Sequence, residues 1–228
     1  MNKRILIFIF LFAVLPIFSL LLSCSKKVSA ISGSVLDGSG KPFANVKVIA
    51  LQEKPVRGYA KFETTTGADG RFFFPDCHPE SNYKLLMHAE GTDLREALVK
   101  TGAAGTETSL ASPVAFRFLS SSGGFITDTK TGLQWAVDSG TTMTWEGAKR
   151  YIKELRLGGF NDWQMPKRDE LRTLGKIDAD FPLAECCVWS SEPKDARRAW
   201  VVDVYRSVED VAFMSNNSYA ALAVRRPH

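Results

Sequence analysis

The sequence predicts two domains in series, an all-β sandwich followed by an α+β domain. Three observations carry this. Apolar residues alternate at a period of two through most of residues 31–118 with no helix-period segment; the small-residue tract Ser120-Ser121-Ser122-Gly123-Gly124 then interrupts the pattern; and beyond it come two stretches of helical spacing and a set of short β-rich runs. The 228 residues are 45% hydrophobic and 24% charged, which suits one or two domains with real cores and excludes disordered and collagen-like chains. The expected divisions are 1–23, 24–28, 29–119, 120–124 and 125–228.

At the start, Lys3 and Arg4 precede an apolar run over residues 5–22 that ends Leu21-Leu22-Ser23-Cys24, the order of a secretory signal. It resembles a bacterial lipoprotein signal, with a Leu three residues before the cysteine and a small residue just before it. A transmembrane anchor is the alternative. Its 18 residues sit at the lower edge of a span, and Pro16 and Ser19 weaken it. The resemblance implies that residues 1–23 are a signal peptide, that Cys24 carries the acyl chains above a tether over 24–28, and that two or more chains hold the protein stably at a membrane. Ser25 after the cysteine matches the pattern sorted to an outer membrane, so a lipid-anchored envelope protein is expected.

Charge excludes one class of partner. Residues 1–120 hold 14 Lys+Arg against 10 Asp+Glu and residues 121–228 hold 15 against 15, so without Lys3 and Arg4 the net is about +2. That is too little to argue for nucleic acid from bulk field.

In the sandwich, Ile31, Gly33 and Val35 are followed by a turn through Asp37-Gly38-Ser39-Gly40 and then Val46, Val48 and Ala50, which reads as a hairpin. Residues 61–66 run into Gly67-Ala68-Asp69-Gly70 and Arg71-Phe72-Phe73-Phe74, a second expected hairpin. Tyr83, Leu85 and Met87 form another strand, and Val114, Phe116 and Phe118 form the last. The run I-x-G-x-V-x-D-x-x-G-x-P, then V-x-V and T-x-x-A-D-G-R-F-x-F, resembles the carboxypeptidase regulatory-like domains, whose sandwich is transthyretin-like. The resemblance implies a spacer or interaction module. His78 and His88 are isolated, and no ligand-spaced cluster occurs in this half.

In the second domain, TDTKTGLQW (127–135) turns into a strand. Thr144 caps a helix marked by Trp145, Ala148, Tyr151, Ile152 and Leu155, and Gly158-Gly159 lies beyond its end. Pro166 opens a short helix over 167–175 with Asp169 and Glu170 in its first turn. Strands are expected over 188–191, 199–205, 208–214 and 220–226. The motifs T-D-x-x-T-G-L-x-W, T-W-x-x-A, G-G-F-x-D-W-x-x-P-x-x-x-E-L, W-S-S and terminal V-R-R together resemble the C-terminal domain family named after a bacterial collagen-like adhesin, the Lcl C-terminal family. The resemblance implies a C-type-lectin-like fold and a binding role; the named member binds host ligands such as sulfated glycans. Gln164-Met165 stands where relatives carry Arg-Leu, and the collagen-like stalk is missing, so trimeric display is not implied.

Candidate ligand-binding residues are Lys194, Arg197 and Arg198 ahead of Trp200, Asn216, Asn217 and Tyr219 in a polar loop, and Arg225 near the end. Arginines and lysine can take sulfate or carboxylate groups, and an Asn/Tyr loop can hydrogen-bond and stack a saccharide, although each set also suits a solvated loop or turn. The five tryptophans all fall in this half and read first as core anchors whose N–H groups need partners. Asn161-Asp162 and Glu192-Pro193 are similar to calcium-binding dipeptides of sugar-binding C-type lectins but stand in reversed order, and calcium needs six or more oxygens. No metal or other cofactor is expected.

Cys186-Cys187, with Cys77, leave three thiols after lipidation, an odd number. They read as unremarkable thiols, a pair involving Cys77 or a second chain, or a redox or metal site. The C-type-lectin-like grouping includes a cysteine-dependent oxidase, but apart from terminal His228 this half has no histidine to act as a base. No catalytic residue is assigned. The expected function is a non-catalytic binding module for a glycan or an envelope or host macromolecule, with a structural envelope subunit as the alternative and a cysteine-dependent enzyme as the rival.

Overall fold

Alternation in the first half builds two facing sheets. The structure, a computed structural model, describes residues 27–136, 141–175, 181, 183 and 185–227, so the expected signal and Cys24 lie outside the described residues. The first-half strands are β1 (Ser29–Asp37), β2 (Lys47–Gln52), β3 (Lys61–Thr65), β4 (Arg71–Cys77), β5 (Asn82–His88), β6 (Arg95–Lys100), β7 (Glu107–Ser109) and β8 (Val114–Phe116). One sheet runs β4-β1-β7, with β8 also paired to β1; the other runs β3-β2-β5-β6. Ile31, Val35, Val46, Val48, Phe72, Phe74, Tyr83, Leu85, Met87 and Phe116 fill the space between them.

Both expected hairpins are overturned. β1 pairs with β4, and β2 with β3 and β5, so the turns after β1 and β3 carry the chain from one sheet to the other. Local chemistry explains the first switch. Asp37 Oδ1 accepts from the Ser39 and Lys41 N–H groups at 2.8 and 3.0 Å, Pro42 has no N–H to extend a ladder, and Asn45 turns the chain at φ 61°. Buried Thr66 holds the crossing in place, accepting from Val46 N–H at 3.0 Å and donating to the Phe43 carbonyl at 2.8 Å. At the second switch Gly70 has φ 70°, and a Cβ there would lie 2.5 Å from the Val35 carbonyl oxygen, so β4 can enter beside β1 only on a glycine.

The domain seam also differs from expectation. Phe116 packs in the first core and Phe118 in the second, so the chain crosses at Arg117. Residues 118–120 form β9 (Phe118–Ser120), which pairs with β10 (Phe125–Asp128), and 121–124 are the tight turn between them, with Gly124 N–H on the Ser121 carbonyl at 3.0 Å. The Ser/Gly composition that reads as a linker serves a turn instead. Across the seam Gly38 N–H donates to Thr129 Oγ1 at 2.7 Å, and Ser120 N–H to the Gly91 carbonyl at 2.6 Å.

The second half continues with β11 (Gln134–Ala136), β12 (Thr142–Met143), α1 (Trp145–Glu154), α2 (Arg168–Leu174), β13 (Cys187–Pro193), β14 (Arg198–Asp203), β15 (Val208–Phe213), β16 (Tyr219–Ala220) and β17 (Val224–Arg225). Thr144 caps α1 through Oγ1, which accepts from Gly147 N–H at 3.2 Å. Pro166 sits one residue ahead of the α2 cap rather than inside the helix. Its carbonyl accepts from Ser191 N–H at 2.8 Å, and Glu170 reaches back to Lys167 N–H at 2.8 Å.

A five-stranded sheet in the order β12-β16-β13-β14-β15 divides this half into two cores, because successive strand residues face opposite sides. Val188 and Val202 pack with Leu171 and Leu174 of α2, whereas Trp189 and Val201 pack with Ala148 and Ile152 of α1. A smaller sheet, β17-β11-β10-β9, closes one side. Among the described residues no helix is long and apolar enough to cross a membrane.

Candidate functional site

The β13–β14 hairpin makes a basic tip. Lys194 N–H and Asp195 N–H both donate to the Arg198 carbonyl, at 2.8 and 3.2 Å, closing the turn. Asp195 then organises the cations around it. Its Oδ1 accepts from the Arg197 and Arg198 N–H groups at 2.9 Å each, and its Oδ2 takes the Arg198 guanidinium at 2.6–2.7 Å. The Arg197 N–H and the Arg198 side chain hold the Asp195 carboxyl below its ordinary range. Arg198 is thus spent inside the turn. Arg197 is different: it is exposed, and among the described residues its guanidinium has no hydrogen-bond or ion-pair partner.

Trp200 lies half-buried at the base of this tip. The Lys194 ammonium stands 4.9 Å from its ring centroid and the Arg168 guanidinium 4.3 Å, so the tip offers a cation-capped aromatic near the exposed Arg197. The polar loop leaves the sheet at the same end, since Met214 N–H donates to the Arg197 carbonyl at 2.9 Å. Asn217 is exposed there. Asn216 Oδ1 is used by Ser218 N–H at 2.9 Å as a turn, and Tyr219 stands edge-on to Trp189 at 4.9 Å, half inside the core.

Arg225 is not part of this surface. Its Nε donates to Asp162 at 2.7 Å, its other donor to Gln134 Oε1 at 2.7 Å, and its guanidinium lies 3.6 Å over Phe160. Arg226 meanwhile grips Glu170 and donates to Gln164 Oε1 at 2.5 Å. Together with the two-way backbone bridge between Gln164 and Val224, both N–H···O at 2.8 Å, these contacts clip the chain end to the GGFNDWQMPKRDEL corner. Gln164 thereby has a role as an acceptor for Arg226, a partner that a motif departure alone could not reveal. The two acidic dipeptides are likewise occupied: Asp162 by Arg225, and Glu192 by Arg168.

Two groupings escaped the sequence reading. On the outer face of α1 and just past its end, Lys149, Arg150, Lys153 and Arg156 line a shallow groove of about 520 Å³ with Glu146 and Glu154. Second, the β13–β14 register places Asp203 opposite Cys187, so ligand atoms of Cys186, Cys187 and Asp203 all lie within 4.8 Å of one another. Cys77 lies apart from them, buried in the sandwich core. Burial, Cys186 and Asp203 push the Cys187 thiol up to about 12, against a smaller opposing effect of Arg206.

These features define a two-domain, mostly β protein whose second domain presents short loops from a sheet flanked by helices. Residues 30–114 match the family model of the carboxypeptidase regulatory-like domain and residues 124–225 that of the Lcl C-terminal domain, so the chain joins one domain of each kind, as the two sets of motifs predict. No curated protein matches the chain. Among solved structures it is similar to a 3-chlorocatechol 1,2-dioxygenase from Rhodococcus opacus 1CP, at 14% identity and TM-score 0.27 over 38% of this chain and 57% of that one. A type II cohesin–X-dockerin complex from Acetivibrio cellulolyticus gives 17% identity and TM-score 0.28 over 39% and 57%. The dioxygenase domain of a carbohydrate-binding fusion from Streptomyces sp. SirexAA-E gives 19% and 0.28 over 41% and 86%. The chain thus spans 57% of the dioxygenase from Rhodococcus, and likenesses this slight transfer neither fold nor chemistry.

Proposed function

We propose that this protein is a lipid-anchored envelope protein, held at the outer membrane through Cys24, in which the sandwich is a spacer and a C-type-lectin-like second domain binds an anionic glycan or another polyanionic envelope or host macromolecule. One observation carries the ligand reading: Arg197 stands exposed, without a side-chain partner among the described residues, near the Lys194–Trp200 pair, a placement suited to a sulfate or carboxylate lying against a sugar ring. The adjacent Asn217 loop supplies neutral donors and acceptors. Family likeness supports the binding role, and the resemblance of Leu21-Leu22-Ser23-Cys24 to a lipoprotein signal supports the anchor. A non-catalytic role is favoured because, among the described residues, no histidine stands beside the adjacent cysteines to take a thiol proton.

Two measurements check the reading. Labelled palmitate is expected to enter the wild-type chain and to be lost in Cys24→Ser, and an unlabelled wild type removes the anchor. Immobilised heparin is expected to retain the protein in a salt-sensitive way, with Lys194→Ala/Arg197→Ala weakening binding on the order of tenfold or more. Unchanged binding by that variant moves the site elsewhere, and Arg150→Ala/Lys153→Ala tests the α1 groove.

A further inference from the structure

We propose that Cys186, Cys187 and Asp203 form a binding site for a thiophilic divalent cation of the zinc type. Successive residues of a regular strand point to opposite faces, so adjacent cysteines ordinarily diverge. Here Cys186 precedes β13 in a bend, and the two sulfurs converge to 2.7 Å. Packing does not account for it, because Cys186 is exposed and neither thiol belongs to a core cluster.

The frame around the sulfurs is built from both strands. Val204 N–H donates to the Cys186 carbonyl at 2.9 Å, and the Cys187–Asp203 register continues the ladder from there. Asp203 Oδ1 accepts from the Tyr205 and Arg206 N–H groups at 3.0 Å each, which orients the carboxylate. Among the described residues its Oδ2 has only a 3.5 Å contact with the highly exposed Arg206 side chain and remains available as a donor to a cation.

The donor set decides the class of ion. Two sulfurs and one oxygen suit a soft or borderline cation and not calcium or magnesium, which take oxygens. Zinc accepts three protein ligands in tetrahedral geometry and leaves a fourth position for water or a group of a bound partner. Coordination breaks two S–H bonds and forms two metal–sulfur bonds, with both protons released to solvent and no change of oxidation state. The sulfurs must separate by about 1 Å to fit Zn–S bonds of about 2.3 Å, a motion open to the exposed Cys186 side chain.

The test uses detergent-purified full chain, reduced and freed of metal, with zinc set against a chromophoric chelator and cobalt as a spectroscopic substitute. The expected result is one zinc per chain and a thiolate-to-cobalt charge-transfer band in the near ultraviolet. Cys186→Ser/Cys187→Ser should abolish the band and weaken zinc binding by about a hundredfold or more, while Asp203→Asn, which keeps the Oδ1 acceptor, should weaken it by about tenfold. Unfolding midpoints of the metal-free variants, matched to the wild type, show that the fold is kept. Reduced protein that leaves all its zinc with the chelator, or a double serine variant that binds as well as wild type, overturns the proposal.

Discussion

Replacing Arg117 by methionine is expected to destabilise the second domain by about 3–5 kcal/mol, the largest effect of any single change at the seam. The carboxylate it leaves behind is the reason. Asp128 is fully buried, and Arg117 meets it in two-pronged fashion, Nε to Oδ1 at 2.9 Å and the terminal nitrogen to Oδ2 at 2.7 Å. Lys130 N–H and Thr131 Oγ1 complete the shell at 3.0 and 2.9 Å, yet both are neutral donors. Without the guanidinium a buried charge stays uncompensated, and the bond from Arg117 to the Thr173 carbonyl at 2.6 Å, which ties the end of α2 to the seam, is lost as well. Methionine keeps much of the stem that lies over Phe118, with the guanidinium 4.6 Å from that ring, so the loss reports charge more than packing. Urea unfolding followed by tryptophan fluorescence checks it, since all five tryptophans lie in the second domain. A shift below about 1 kcal/mol means that the neutral donors and water satisfy the Asp128 carboxylate without the guanidinium. Arg117→Met with Asp128→Asn should recover part of the loss.

Trp189→Ala is expected to lower stability by a similar amount, about 3–5 kcal/mol. Its indole is fully buried between α1 and the sheet, packs edge-on against Tyr219 at 4.9 Å, and donates from Nε1 to the Met143 carbonyl at 2.8 Å. Comparison with Trp135 separates ring from hydrogen bond. Trp135 is equally buried but its Nε1 has no partner among the described residues. Trp189→Phe should therefore cost about 1–3 kcal/mol more than a ring-shrinking change without a lost bond, because it strands a carbonyl, whereas Trp135→Phe removes an unpaired donor and should be the milder of the two. Chemical denaturation of the two phenylalanine variants reads the difference directly, and equal losses would deny the Met143 bond its part.

Much of the fold was legible in short-range chemistry. Period-two alternation placed β1, β2, β4 and β5; Thr144 and the apolar residues of α1 at helical spacing placed that helix; and the motifs carried both family assignments. What failed was pairing. Asp-Gly after β3 reads as a hairpin because turn residues report only that the chain reverses, and both hairpin and sheet switch are reversals. The same limit applied to the candidate site. Lys194, Arg197, Arg198 and Arg225 are alike as basic residues, yet Asp195 takes Arg198 and Asp162 takes Arg225, leaving Arg197 without a side-chain partner among the described residues.

By itself, the sequence determined the two domain families, the strand and helix periodicities, the helix cap at Thr144 and the presence of a basic loop, because each depends on residues within a few positions of one another. Tertiary structure alone decided which strands share a sheet, that the chain changes cores at Arg117, which arginines are spent on carboxylates, and that Asp203 faces the adjacent cysteines. Those outcomes join residues far apart in the chain, as in the clip of Arg225 and Arg226 onto Asp162, Gln164 and Glu170, and partner choice at such range is set by packing and register that no local pattern encodes.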